Sequence, residues 1–237
     1  MSGFTHLHLH TEYSLLDGAN KIKELAKTLK KQGVKAAAIT DHGNMFGAID
    51  FYQTMKKEGI KPLIGIEAYI HNADDLADKS SKQRFHLILL AKNETGYKNL
   101  MYLSSQSYID GFYYYPRINK KILKERSEGV VCCAACLQGE VNWHLNLSER
   151  NVKYGAQGYE KAKEVALEYR EIFGDDFYLE IMRHGIGDQR KIDDDILRIS
   201  KETGIKVVAT NDTHYTFKER AAAHEVFMCC LLYTSDA

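Results

Sequence analysis

The sequence predicts an α/β protein whose strands close into a barrel, and three observations lead there. Apolar strand-like runs alternate with helical patterns along the chain, an order that implies parallel strands joined by right-handed crossovers. Side chains able to bind a metal recur where these runs end: His8, His10, His42, Glu67, His86, Cys136, Asp212 and His214. Two pairs, His8/His10 and Asp212/His214, sit near opposite ends of the chain at i, i+2 spacing, which turns both members of a pair to one face of a strand. An open doubly wound sheet also fits the alternation, but it usually has a glycine-rich phosphate loop after its first strand. Here that position reads His-Leu-His-Thr-Glu-Tyr-Ser. An open sheet would also hold the first and last strands too far apart to share one cluster, whereas a barrel brings all the strand ends to one mouth.

Residues 4–10 are expected as the first strand, followed by a turn at Asp17-Gly18. Asn20 is expected to cap a helix whose apolar residues Ile22, Leu25, Ala26 and Leu29 share a face until Gly33 ends it. Residues 36–40 form the second strand, 41–44 its loop, and a helix through Ile49, Tyr52 and Met55 runs to Gly59. The third and fourth strands are 61–70 and 85–91, and the charged stretch between them reads as an exposed loop. Then come a helix from Asn93 to about Ser107, an aromatic loop at 108–117 and a short helix near Ile122. The fifth strand is 129–135, running into Cys136. A helix at 158–173, a strand at 177–182, a helix at 189–202 and a seventh strand at 206–210 complete the pattern.

At 237 residues the chain is long enough for one large barrel with a full core. Thirty-two basic residues balance thirty-two acidic ones, so the strongly basic surface of a stand-alone nucleic-acid binder is absent, although local patches are compatible with that balance. No apolar run approaches the length of a spanning helix and the N-terminus lacks a signal-peptide pattern, so no membrane association and a cytoplasmic location are expected. Five cysteines, with adjacent pairs at 132–133 and 229–230, argue against a disulfide framework. Cys133-Ala-Ala-Cys136 has redox-motif spacing, but Cys133 lies inside an apolar strand instead of at a helix start. His6 is expected to give a hydrogen bond behind the metal ligands, and His71, His144 and His224 to lie in loops or on helix surfaces.

The stretches His-Leu-His-Leu-His-Thr-Glu-Tyr-Ser-Leu-Leu-Asp-Gly-Ala (6–19), Ile-Thr-Asp-His-Gly-Asn (39–44) and Gly-Ile-Glu-Ala-Tyr (65–69) resemble the polymerase and histidinol phosphatase (PHP) domain family. So do 86–100, Cys-Leu-Gln-Gly-Glu (136–140) and Ala-Thr-Asn-Asp-Thr-His-Tyr (209–215), and the resemblance runs from about residue 4 to 228. Asp17, the Lys-Asn-Glu-Thr-Gly-Tyr-Lys-Asn run and Cys136 are most similar to the branch carried by bacterial replicative polymerases. The resemblance implies a distorted (β/α)7 TIM-like barrel over 1–229, with 230–237 an unmatched tail at the end of a fragment. It also implies up to three divalent metals, zinc, manganese or iron, on His8, His10, Asp17, His42, Glu67, His86, Cys136, Asp212 and His214. His8, His10, Glu67, Asp212 and His214 are expected to surround the reacting phosphoryl group, with Glu67 suited to bridge two metals. The implied chemistry is phosphoester hydrolysis, as 3′ to 5′ proofreading of a single-stranded 3′ end or primer terminus of DNA, with the rest of the polymerase and other replisome subunits as partners. Clustered metals suit that reaction because they acidify a water and stabilise both attacking and leaving oxygens.

Where the family often reads Lys-Pro-Arg-Ile-Asp, this chain has Tyr115-Pro116-Arg117-Ile118-Asn119. Arg117 and His184 are the candidates for contact with substrate phosphate, and tyrosines 113–115 could stack a base. Two other readings compete with the enzyme: a domain whose metals only brace the polymerase or dock a proofreading subunit, and a free-standing phosphatase of the histidinol-phosphatase type. The Lys-Asn run and Cys136 speak against the latter.

Overall fold

The computed structural model describes residues 3–235, and for 230–235 the backbone course alone. Its strands are β1 (Ala36–Ile39), β2 (Lys61–His71), β3 (Phe85–Ala91), β4 (Arg117–Asn119), β5 (Val130–Cys133), β6 (Phe177–Met182) and β7 (Lys206–Thr210). The α-helices are α1 (Ile22–Lys31), α2 (Ala48–Lys57), α3 (Glu94–Ile109), α4 (Lys120–Glu125), α5 (Glu140–Leu145), α6 (Glu149–Lys153), α7 (Tyr159–Phe173), α8 (Gly187–Thr203) and α9 (Ala221–Ser235). The sheet runs β1-β2-β3-β5-β6-β7, with β4 added to the far end of β2. It curls into a TIM-like α/β half-barrel whose open side is filled by the N-terminal segment.

That segment corrects the first expected strand. Residues 6–10 form isolated bridges, His6 to Ala37 and Leu9 to Thr213, in place of a continuous ladder. On one side the N–H groups of Ala38 and Thr40 donate to the carbonyls of His6 and Leu9; on the other, His10 N–H donates to Thr213 and Thr213 N–H to His8. Two bonds to each neighbour are too few for a regular strand, yet they bring the two ends of the chain together. Asn20 contributes to the same seam. Instead of capping α1, whose first turn is preceded by Lys21 without a side-chain cap, its amide donates to the carbonyls of His10 and Thr213.

The sheet is mixed, which corrects the expectation of parallel pairing throughout. β3 runs antiparallel to both β2 and β5, while the other pairs are parallel. The physical reason lies in residues 72–84, which hold no helix: without a crossover element the chain returns beside β2 in the opposite sense. β4 begins at the last residue of the expected aromatic loop, and α5 and α6 follow Cys136 where no helix was expected. β2 divides its pairing, with Lys61–Ile64 against β1 and Gly65–Ile70 against β3. At the changeover a Cβ on Gly65 would sit 2.5 Å from the Leu89 carbonyl oxygen, so only glycine lets the backbones approach this closely.

Alternation sorts the side chains into two cores. Ile66, Ala68, Ile70, Leu87 and Leu89 point outward into a large cluster with α3, α7 and α8, and α1 and α2 cover β1 with a second cluster built on Ile22, Leu25, Phe51 and Met55. The inward positions form a smaller cluster: Ala38, Ile88, Leu90, Cys133 and Ala135. Above that layer the interior is occupied by His8, Glu67 and Glu180, each at most 1% exposed.

Candidate metal centre

The centre forms because short connections at one end of the barrel project polar side chains over an apolar floor. Glu67 stands at its middle. Its inward direction follows from the period of β2, where Ile66 and Ala68 face the outer core. One Glu67 oxygen, Oε1, lies 3.3 Å from His8 Nε2 and 3.0 Å from His86 Nδ1; the other, Oε2, lies 3.4 Å from His10 Nε2 and also contacts His42 Nδ1. Each carboxylate oxygen thus faces its own pair of imidazoles.

The remaining expected residues join this network. Asp212 Oδ1 is 3.2 Å from both His8 Nε2 and His10 Nε2 and 3.4 Å from His214 Nδ1. Asp17 Oδ2 is 2.9 Å from His42 Nε2 and 3.7 Å from His214 Nε2. Cys136 Sγ lies 3.7 Å from His86 Nδ1. The His10 ring is stacked between those of His42 and His214, with centroids 4.1 and 4.3 Å away. All nine side chains therefore share one mouth. His86 reaches it from the start of an antiparallel strand and Glu67 from the middle of β2. Asp212 adopts φ +43°, a left-handed conformation disfavoured for a residue with a Cβ and frequent at functional sites.

Seven buried polar atoms here have no hydrogen-bond partner: His8 Nε2, His10 Nε2, Asp17 Oδ1, His42 Nδ1, both Glu67 oxygens and Asp212 Oδ1. Buried polar atoms are nearly always satisfied, so a group of lone pairs facing one another requires something between them. Three sets, His10/His42/His214, His8/His10/Asp212 and His42/Glu67/His86, each place their ligand atoms within 4.8 Å of one another. Mixed imidazole and carboxylate donors suit zinc, manganese or iron.

Protons balance the charge when no cation does. Burial opposes a charge on His8, but the Asp212, Glu180 and Glu67 carboxylates outweigh it and raise its pKa above the ordinary value. Burial likewise opposes a charge on His42, and Glu67 and Asp17 overcome it, pushing the pKa up to about 10. His10, desolvated and beside His42, falls to about 3. Burial would raise Glu67, Asp17 and Asp212; the surrounding imidazoles prevail and hold all three well below the carboxylate range.

Sequence reasoning missed Glu180. It is buried on β6, where Oε1 accepts from His8 Nδ1 at 2.9 Å and from the Thr210 hydroxyl, while Oε2 accepts the Ala135 N–H at 2.8 Å. This arrangement fixes the His8 tautomer and leaves Nε2 facing Glu67 and Asp212. The available signal was a carboxylate within the apolar run Phe-Tyr-Leu-Glu-Ile-Met. Asp41 was missed too: it accepts from the Thr11 N–H, the Thr11 hydroxyl and the Ser14 hydroxyl, and Ser14 in turn bonds His10 Nδ1 at 3.0 Å.

Several expectations are corrected. Arg117 is 1% exposed, and its guanidinium donates to the carbonyls of Ser81, Asp78 and Gly111. Pairing of β4 with β2 turns it under the 78–81 loop, so it is not free to meet a phosphate. His184 is exposed and bonds Gln189 at the start of α8; it makes no polar contact with the cluster among the described residues. His6 contacts the Phe4 ring instead of a metal-binding residue. His71 and His144 are buried, and His224 on α9 donates to the Asp17 carbonyl at 2.7 Å, steadying the mouth. Cys132, Cys133, Cys136 and Cys229 are free thiols.

Comparison with known proteins agrees with this picture. The PHP domain family matches residues 6–184. The chain is 77% identical over 230 residues to the DNA polymerase III subunit alpha of Campylobacter jejuni, covering 97% of this chain and 19% of that protein. Identity to the same subunit is 69% over 227 residues in Helicobacter pylori, covering 95% of this chain and 19% of that protein. In Thermus aquaticus it is 42% over 231 residues, covering 95% and 18%. The chain thus spans about a fifth of the length of these relatives. Among solved structures, an amidohydrolase from Chromobacterium violaceum superposes with a TM-score of 0.58 at 12% identity, covering 94% of this chain and 96% of that one, a likeness of fold alone.

Proposed function

The chain belongs to the PHP domain family, and from that premise we propose that it is the PHP domain of a replicative DNA polymerase alpha subunit, acting in the cytoplasm as a metal-dependent phosphodiesterase that removes nucleotides from DNA 3′ ends. The single observation behind this reading is Glu67, fully buried, with its two oxygens facing two separate pairs of histidines. A bridging carboxylate with flanking imidazoles is the donor set that two neighbouring divalent cations need.

His8, His10, Glu67, Asp212 and His214 would form the part of the centre next to the reacting phosphoryl group, and His42, Asp17, His86 and Cys136 would complete it. When bound, divalent cations would acidify a water and stabilise charge on the phosphoryl oxygens. The chain's own contribution is positional. Glu180 holds His8 through Nδ1 and leaves its Nε2 turned toward the centre, and the Asp41–Ser14 pair orients His10. The apolar floor of Ile88, Cys133 and Ala135 excludes water from below. The Asp17 carbonyl bond to His224 keeps the loop bearing Asp17 over the mouth.

The test compares the wild-type chain with Asp212→Asn on 3′-labelled single-stranded and mismatched primed DNA, with manganese or zinc added. Asparagine tolerates the left-handed backbone at this position while removing the charge. Wild-type shortening of the strand that the variant reduces to background is the expected result. Equal rates would refute catalysis at this centre, and a metal-loaded but inactive wild type would favour a bracing role.

A further inference from the structure

Two arginines, Arg84 and Arg150, line one cleft without an anionic partner. Arg84 immediately precedes β3 and its Nε is buried without a hydrogen-bond partner, and neither its guanidinium nor that of Arg150 on α6 forms an ion pair or hydrogen bond among the described residues. Arg84 Cζ lies 3.5 Å from the centroid of the Tyr115 ring and 5.6 Å from that of Tyr69. Tyr69 in turn packs 5.3 Å from His86 and 6.1 Å from His42. The guanidinium is thus one aromatic ring away from two members of the metal centre, and stacking on Tyr115 fixes its plane.

Arg84 also lies on the wall of a cleft of about 510 Å³ that contains Lys82, Arg150, Gln138, Trp143 and Tyr154. No carboxylate lines it, although acidic and basic residues are equal in number over the chain. The exposed Tyr154 ring is part of its lining, and Lys82 Nζ sits 3.9 Å over the ring of exposed Tyr114. Gln138 ties the cleft to the centre, its carbonyl accepting the N–H of the candidate ligand His86 at 3.0 Å. Cations for phosphates, flat rings for bases and amides for base edges are the components of a single-strand binding track.

We infer that this cleft is a single-stranded polynucleotide track and that Arg84 is the positioning residue that holds a phosphodiester at the entrance to the metal centre. The inference rests on the phosphodiesterase reading for its purpose, but it concerns binding and can be tested without turnover. In effect Arg84 takes the place that the sequence assigned to Arg117, whose guanidinium is spent on carbonyls. A guanidinium free of carboxylates and held rigidly can give two parallel N–H donors to a phosphate.

The experiment measures binding of a fluorescein-labelled oligothymidylate to the 237-residue chain by anisotropy, with EDTA present so that no hydrolysis occurs. Arg84→Ala should weaken binding by about tenfold or more and lower the salt dependence by about one counterion, with Arg84→Lys between it and wild type. Circular dichroism and thermal melting establish that each variant is folded. In parallel, photocrosslinking of a 5-iodouracil oligonucleotide to the unaltered chain should map to Tyr114, Tyr115 or Tyr154, which keeps the test decisive if a variant fails to fold. Wild-type affinity in folded Arg84→Ala, crosslinks confined to other faces, or full competition by equimolar inorganic phosphate would each overturn the inference. If Asp212→Asn abolishes cleavage while oligonucleotide binding persists and depends on Arg84, both readings stand; if binding depends on Arg84 but no cleavage is found, only the phosphodiesterase reading falls.

Discussion

Glu180 makes the sharpest residue-level prediction because among the candidate ligands it hydrogen-bonds His8, while its other partners are the Thr210 hydroxyl and the Ala135 N–H. Replacing it with glutamine keeps the volume but removes the negative charge and turns one of the two accepting oxygens into an NH2 donor, so His8 Nδ1, the Thr210 hydroxyl and the Ala135 N–H can no longer all be satisfied. Metal affinity is then expected to fall by about 10- to 100-fold, measured by competition against a chromophoric chelator; unchanged affinity would remove Glu180 from the account. Protonation gives a second prediction. The carboxylates beside His8, His42 and His214 raise their pKa values and so favour the imidazolium forms when no metal is bound. Binding should therefore release protons and tighten as pH rises, and calorimetry in two buffers of different ionisation enthalpy should report the release. Identical heats in the two buffers would contradict it. The sign for stability follows from the same shift. A group raised from 6.5 to about 10 in the folded state, as His42 is, stabilises fully below 6.5 and loses that contribution as pH climbs toward 10. Metal-free protein should thus unfold at lower urea concentration at about pH 9.5 than at about pH 7; no such decline would show that the carboxylate–imidazole pairing does not act as described.

At the scale of elements, Gly65 is the point where β2 exchanges one partner strand for another, and the close approach there makes a prediction of its own. Gly65→Ala would drive a Cβ against the Leu89 carbonyl and the Leu90 side chain, a clash expected to cost about 1–3 kcal/mol, read from the urea midpoint. A midpoint equal to wild type would show that the strands can separate cheaply. The same element shows what was legible in the sequence. Three strands, 85–91, 177–182 and 206–210, have the bounds that alternation and apolar content predict, and the nine candidate ligands stand at one mouth because ligand-type residues at run ends are a strong signal. The antiparallel course of β3 was not legible from periodicity, which reports faces and carries no direction. Only the missing helix in 72–84 hinted at it. The N-terminal segment reads as a strand in its pattern but pairs at isolated points, because its neighbours are set by closure of the barrel. Arg117 failed as a phosphate contact for a similar reason: proximity to an aromatic loop does not reveal which way a three-residue strand turns its side chain.

Over the whole molecule the account joins a sheet curled around a small apolar floor to a ring of donors that only a closed topology can assemble from residues 8 to 214. The N-terminal segment, hydrogen-bonded to Thr213 on one side and to β1 on the other, is what turns a half-barrel into a site. No helix among the described residues is long and apolar enough to cross a membrane. Metal removal should lower the melting temperature, since cations that bind the folded form alone stabilise it by mass action, while the two outer cores keep the metal-free chain folded. The most direct test of the central claim is anomalous diffraction from crystals grown with zinc or manganese, recorded at the absorption edge of the added metal. Anomalous peaks on both sides of Glu67, within about 2.0–2.2 Å of its oxygens and of the facing imidazole nitrogens, are the predicted result. Crystals containing the metal with no peak among His8, His10, Glu67 and Asp212 would contradict the account.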